Sequence, residues 1–159
     1  MEYPLTKKID LINLDEQLRN KKGIYFWSDI SSQEIVYIGI ALNNRRGLKT
    51  RIKLHLNPNA LEYRVKKQSR KLDFFQLQHA IPRKSKKTGL TTMGIDRSSL
   101  RKNIGRALLI KPGDETVKYI TDNLTLEVYE CENKNLVRQM EKFFIDKYQP
   151  RFNIKGKKS

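Results

Sequence analysis

Two short apolar runs, separated by a polar stretch, constrain this chain more than any other feature. Gly23 to Trp27 is aromatic and β-branched, and so is Ile35 to Ile40. Between them, Asp29-Ile30-Ser31-Ser32-Gln33 is polar and turn-like. Two such runs joined by a short polar segment predict a β-hairpin. Each strand carries a tyrosine, Tyr25 in the first and Tyr37 in the second. Neighbouring strands can set two phenols side by side on one face when the register allows it. Taken singly, each is also an ordinary half-buried strand tyrosine.

The segments around the hairpin add charged groups to apolar stripes. In Gly47 to Leu56, Leu48, Ile52 and Leu56 recur every four residues and predict the buried stripe of a helix. Arg51 and His55 are also four apart and share a neighbouring face. Near the C-terminus, Leu136, Met140, Phe143 and Phe144 form a second helical stripe. Glu141 lies beside it, four residues from Val137 and four from Ile145. A carboxylate with such neighbours is half-buried and needs a partner: a metal, a base or a salt bridge.

Gly23-Ile24-Tyr25, Tyr37-Ile38-Gly39, Arg51, His55, Glu141 and the closing Pro150-Arg151-Phe152-Asn153, in that order, resemble the GIY-YIG nuclease family. Glu141 stands nine residues before Pro150 and twelve before Asn153, as in the family's terminal element. The resemblance covers 23–56 and 124–153 and leaves the middle of the chain outside. It implies a divalent-metal-dependent endonuclease that hydrolyses phosphodiester bonds in DNA. Its size points to a small restriction-type or phage-associated enzyme. Repair and structure-specific nucleases share the domain, and a silent nucleic-acid-binding module of the same fold is the alternative of a different class.

Composition agrees with a nucleic-acid partner. The 159 residues suit one domain with a modest core, and the net charge of +16 is that of a protein that meets a polyanion. A solvated, ribosomal-type basic surface is the plainer reading of the same charge. No apolar run reaches the roughly 18 residues needed to cross a bilayer, and no long basic amphipathic helix points to a membrane surface. The first ten residues lack the apolar core of a signal peptide, so a cytoplasmic protein is the default expectation. Cys131 is the single cysteine, which excludes an internal disulfide and reads as a small core hydrophobe.

Along the chain, residues 9–20 predict a short helix before the hairpin. Asn57-Pro58-Asn59 ends the Arg51 helix. Part of 60–81 reads as helical, and Pro82 to Gly89 as a basic loop. Ser98 or Ser99 caps a helix through Leu100, Ile104 and Leu108, and Pro112-Gly113 stops it. A short helix over 117–123 precedes a third strand, Leu124 to Cys131, whose residues alternate. Asn133 or Asn135 caps the last helix. The expected fold is α+β: a small three-stranded, mainly antiparallel sheet flanked by helices. It is read as one domain, with core elements 22–56 and 98–153, a basic insertion 57–97 and a disordered tail from 154.

The resemblance assigns chemistry residue by residue. Glu141 would bind one Mg²⁺ or Mn²⁺ per active site, an ion that keeps several waters and shares its carboxylate with substrate phosphate. Arg51 would grip the scissile phosphate with its planar fork. Tyr25 matches the general base, which requires neighbouring positive charge because a free phenol titrates near 10. Tyr37 and His55 would position water or phosphate. Gly23 and Gly39 would permit close backbone approach, and Asn153 would tie the C-terminal turn to the core. In the insertion, Lys66, Lys67, Arg70, Arg83, Lys84, Lys86 and Lys87 are the candidate DNA contacts, with Arg101 beyond it. One domain cuts one strand at a time, so cutting both strands at one site calls for a homodimer on duplex DNA. Zinc-finger and HNH-type sites are excluded by the want of His and Cys clusters. Glu132-Asn133-Lys134 matches the acidic-x-Lys pattern of another nuclease fold, but such a triplet is expected by chance in a chain this charged.

Overall fold

The computed structural model describes residues 1–65, 77–84 and 86–154. The chain forms two compact units, Met1–Lys53 with Tyr119–Ser159, and Leu54–Lys118. The fold is α+β, as expected, with one sheet in each unit. The boundary differs from the expected insertion, because the second unit runs beyond residue 97 to take in a further helix.

The first unit is built on the hairpin. Strand β2, Gly23–Asp29, pairs antiparallel with β3, Ile35–Ala41. Asp29 makes the turn: its carboxylate accepts from the backbone N–H of Ser31 and Ser32 at 2.8 and 2.9 Å. Local side-chain bonding of this kind is what favours Asp in turns. On the other side of β2 lies β7, Leu124–Glu130, and beyond it β1, Lys7–Ile9. The sheet therefore has four strands in the order β1-β7-β2-β3, one more than expected. The added strand ends at Ile9, where the helix expected over 9–20 was to start. That helix shrinks to the single turn α1, Leu14–Gln17. Asp10 explains the shortening: its carboxylate accepts from Ile12 N–H, and Gln17 folds back onto its backbone. These local bonds compete with helical ones.

Strand alternation separates two faces. Ile24, Phe26 and Ile38 face α5, Lys134–Tyr148, and form a buried cluster with its Val137, Met140, Phe144 and Ile145. Asn133 caps α5, its side chain accepting from Leu136 N–H at 3.1 Å. The opposite face of the hairpin carries Tyr25, Trp27, Tyr37 and Gly39, which the register pairs as Tyr25 with Gly39 and Trp27 with Tyr37. Helix α2, Leu48–Leu56, starts against this face: a Cβ on Gly23 would run into Leu48 and the carbonyl of Tyr129.

Edge strand β3 is closed by the C-terminal turn. Asn153 accepts from Ile38 N–H at 2.8 Å and donates to Ile38 C=O at 2.9 Å, and Phe152 N–H reaches Val36 C=O at 2.8 Å. The amide thus stands in for a missing strand and protects the edge. Asn153→Ala should cost about 2–3 kcal/mol, because it strands a buried donor and acceptor together. Urea unfolding checks this; a loss under about 0.5 kcal/mol would show that water replaces the amide.

In the second unit, β4, Leu61–Val65, β6, Thr91–Asp96, and β5, Leu77–Lys84, form an antiparallel sheet in the order β4-β6-β5. The helix expected within 60–81 is thus replaced by strand at both ends, and 66–76 lies outside the described residues. Pro82 to Lys84 belongs to β5 instead of a loop. Pro82 is tolerated because β5 is an edge strand. Helix α3, Ser99–Leu108, is capped by Ser98 as expected. Helix α4, Asp114–Asn123, starts three residues earlier than the sequence indicates. Among the described residues no helix is long and apolar enough to cross a membrane.

Candidate active site

Tyr25 and Tyr37 sit diagonally across β2 and β3 on one face, with ring centroids 6.4 Å apart and planes tilted by 36°. Both are buried, at 2% and 9% exposure. Gly39 makes room for Tyr25. A Cβ there would overlap the phenol end of Tyr25, so the ring lies flat over bare backbone. Gly39→Ala should therefore displace the Tyr25 ring and cost about 1–3 kcal/mol, the usual penalty of overpacking. Thermal unfolding, with aromatic chemical shifts of Tyr25, checks it; an unshifted ring would show that the strand moves instead.

Arg51 and Glu141 complete the group. Arg51 is exposed on α2, and Glu141 is half-buried on α5. Both act electrostatically on the two phenols. Burial pushes the Tyr25 phenol well above its ordinary pKa; Tyr37 and Glu141 push it further, and Arg51 pulls it back. Tyr37 is pushed up to about 12 by burial and then by Glu141, against the opposing pull of Arg51. Burial also raises the Glu141 carboxyl, which Arg51 partly offsets. The expected cation, Arg51, acts on Tyr25, but burial, Tyr37 and Glu141 outweigh it, so the phenol holds its proton more tightly than a free one.

Glu141 fits a lightly held hard cation. Among the described residues no cluster of three or more His, Cys, Asp or Glu could enclose a metal. A single half-buried carboxylate suits Mg²⁺ or Mn²⁺, which bind through one or two carboxylates together with water and phosphate oxygens. The desolvation that raises Glu141 would be relieved by such an ion. A hollow of about 820 Å³ elsewhere in the unit, lined by Tyr3, Asp29, Glu127, Tyr148 and Arg151 among others, includes none of the four site residues.

The remaining candidates scatter. His55 falls in the second unit, buried at 4%, with Nδ1 2.7 Å from Ser98 Oγ. Arg101, expected on the DNA surface, is corrected outright, for it is fully buried. Its guanidinium makes a two-point pair with Asp96, through Nε at 2.9 Å and Nη2 at 2.6 Å. Its Nη1 donates to the carbonyls of Leu54, His55 and Asn57 at 2.6, 3.1 and 2.6 Å. It fastens the end of α2 and cannot reach a phosphate. Lys84, Lys86 and Lys87 are exposed, at the end of β5 and in the turn after it. Arg83 lies on β5, while Lys66, Lys67 and Arg70 fall outside the described residues. The sequence reading missed Asp96 and took Ser98 only as a cap. The spacing of Asp96, Ser98 and Arg101, an acidic residue two before a cap and a basic one three after it, was the available signal.

No family model, no curated protein and no solved structure matches this chain.

Proposed function

We propose that this chain is a divalent-metal-dependent DNA endonuclease of the GIY-YIG type, in its small restriction-type or phage-associated form. One observation carries the reading. Tyr25 and Tyr37 from paired strands share a face within one unit, and Arg51 and Glu141 from two different helices bear electrostatically on both. Two of those four are charged groups of opposite sign, Arg51 exposed and Glu141 half-buried, set against two buried phenols.

Each residue then has a task in hydrolysis. Arg51, exposed and permanently charged, holds two oxygens of the scissile phosphate. Tyr25 and Tyr37 offer neutral hydroxyls that orient the attacking water and donate to oxygen as charge builds in the transition state. Glu141 would hold the divalent ion, which when bound supplies positive charge where the 3′ oxygen departs. The exposed Lys84, Lys86 and Lys87 lie at the end of β5 and in the turn after it, on the edge of the three-stranded sheet. Their charges would hold phosphates, and Arg83 on the same strand would read guanine.

Binding should be strongly salt-dependent. If the basic groups neutralise about six phosphates, log K falls against log salt with a slope near about −5. Fluorescence anisotropy of a labelled duplex, with metal chelated to prevent cutting, measures it. A slope shallower than about −2 would point away from nucleic acid and toward a protein or a small acidic ligand. Concerted cutting of both strands would need two copies, so light scattering on DNA should report a dimer wherever double-strand breaks form in one event.

A further inference from the structure

We infer that the loop from Asn43 to Gly47 is a phosphate-binding loop, whose Arg45 and Arg46 hold the DNA strand beside the phosphate at Arg51. The ligand rests on the nuclease reading; the pattern of charge does not. No acidic residue occurs from Ile35 to Leu61, yet Arg45, Arg46, Lys49, Arg51 and Lys53 crowd one short stretch of it. All five belong to the first unit. The fold divides them. Lys49 and Lys53, four apart on one face of α2, share the Asp15 carboxylate at 3.3 and 2.9 Å. Arg51 is two residues from each and so lies on another face. Glu130 and Glu132 are engaged likewise, by Arg19 and Lys22. Arg45, Arg46 and Arg51 are exposed, and among the described residues no carboxylate pairs with them. The charges left uncompensated on this stretch are all guanidinium, the group whose fork matches phosphate oxygens.

The backbone of the loop is fixed before any ligand arrives. Asn43 accepts from Arg46 N–H at 2.6 Å and closes the turn. Gly47 is buried, and a Cβ there would overlap the backbone of Asn20 and Lys21. The same segment takes up the first N–H groups of α2. Leu48 N–H donates to Lys21 C=O at 2.9 Å, Lys49 N–H to Arg19 C=O at 3.3 Å, and Thr50 N–H to Asn20 Oδ1 at 2.9 Å. The helix end therefore offers an anion no open backbone donors, and side chains must meet the phosphate. Arg51 N–H donates to Gly47 C=O at 3.0 Å, so the loop ends one turn before Arg51. A turn advances about 5.4 Å, and successive phosphates of one strand lie about 3.4 Å apart along the duplex axis. Phosphates adjoining the one at Arg51 are thus in reach of long side chains from the loop. A loop already ordered also spares the cost of ordering it on binding.

Two double variants that remove equal charge from this stretch test the inference. Arg45→Gln with Arg46→Gln removes the loop's guanidiniums and keeps the Arg46 N–H that Asn43 needs. Lys49→Gln with Lys53→Gln removes the cations that Asp15 already neutralises. Anisotropy of a labelled duplex, with metal chelated, gives affinity across a salt series. The arginine variant should bind about tenfold more weakly or worse, with a salt slope flatter by about 1.8, the loss of two phosphates. The lysine variant should stay within about threefold of the parent, with its slope changed by less than about 0.5. In cleavage assays the arginine variant should raise KM about tenfold and hold kcat within about twofold, as lost uniform binding does. An arginine variant with the parental slope overturns the inference, and so does a lysine variant that loses as much. If the parent cuts DNA in either of those cases, the nuclease reading survives without the loop. If the two variants differ as expected but the parent cuts with no divalent metal, the loop stands as a DNA contact and the nuclease reading falls.

Discussion

Glu141→Gln should abolish cleavage, leave DNA affinity within about threefold, and make the protein more stable at neutral pH. The first two effects follow from the role of the carboxylate. Glutamine keeps the shape and removes the charge that would hold the cation, while phosphate binding rests on Arg51 and the lysines. The third follows from proton linkage. Burial raises the Glu141 pKa in the folded protein. A group with a raised folded pKa favours folding while protonated, and that contribution is lost as pH rises through the folded value. Above it, ionised Glu141 works against the fold, and glutamine does not. The variant should therefore melt higher than the parent at pH 7, and the gap should narrow as pH falls and the carboxyl takes up its proton. A variant that cuts at a tenth of the parental rate would show that Glu141 holds no essential cation. A variant that melts lower at pH 7 would show that the pairing with Arg51 outweighs the burial.

Tyr25→Phe should slow cleavage by roughly 10²–10³, the usual effect of removing one donor aimed at developing charge. Phenylalanine keeps the ring over Gly39 and removes only the hydroxyl, so stability should change by about 1 kcal/mol or less. Tyr37→Phe should lose less, since Tyr37 lies opposite Trp27 and away from the Gly39 platform. The pH profile separates donor from base. Because the Tyr25 phenol is pushed well above its ordinary pKa, the rate should show no rise from phenol ionisation up to about pH 9. A parental rate that climbs tenfold per pH unit, with the climb absent in Tyr25→Phe, would restore Tyr25 as the base. A Tyr25→Phe enzyme within threefold of the parent would remove the hydroxyl from the mechanism altogether.

The hairpin, the Ser98 cap and the Asn133 cap were legible because each rests on local rules. Turn residues, cap residues and strand alternation act over a few positions. The tie of Asn153 spans more than a hundred residues and was expected only through the family resemblance. What escaped depended on distant partners. Strand β1 is three residues long and exists through its pairing with β7, more than a hundred residues away in the chain. The sequence predicts a helix over 9–20, yet Ile12 is exposed and Asp10 captures the backbone that the helix needed. The stretch around Leu61 and Leu77 mixed apolar and basic residues without a clean period, and its strands are specified by their pairing with β6. Arg101 looked like a surface cation because sequence cannot show that Asp96 and three carbonyls converge on it. The spacing around Tyr25 likewise showed which charges accompany it but not how deeply the ring is buried.

Supercoiled plasmid offers the most direct measurement of the central claim. Purified protein incubated with it and Mg²⁺ or Mn²⁺ should convert it to nicked and then linear forms. Conversion should stop when metal is chelated, and Glu141→Gln should leave the plasmid supercoiled while still retarding it in a gel. A parent that binds the plasmid tightly yet leaves it intact under every divalent metal would contradict the account and make the chain a binding module; cutting by Glu141→Gln at the parental rate would contradict the site.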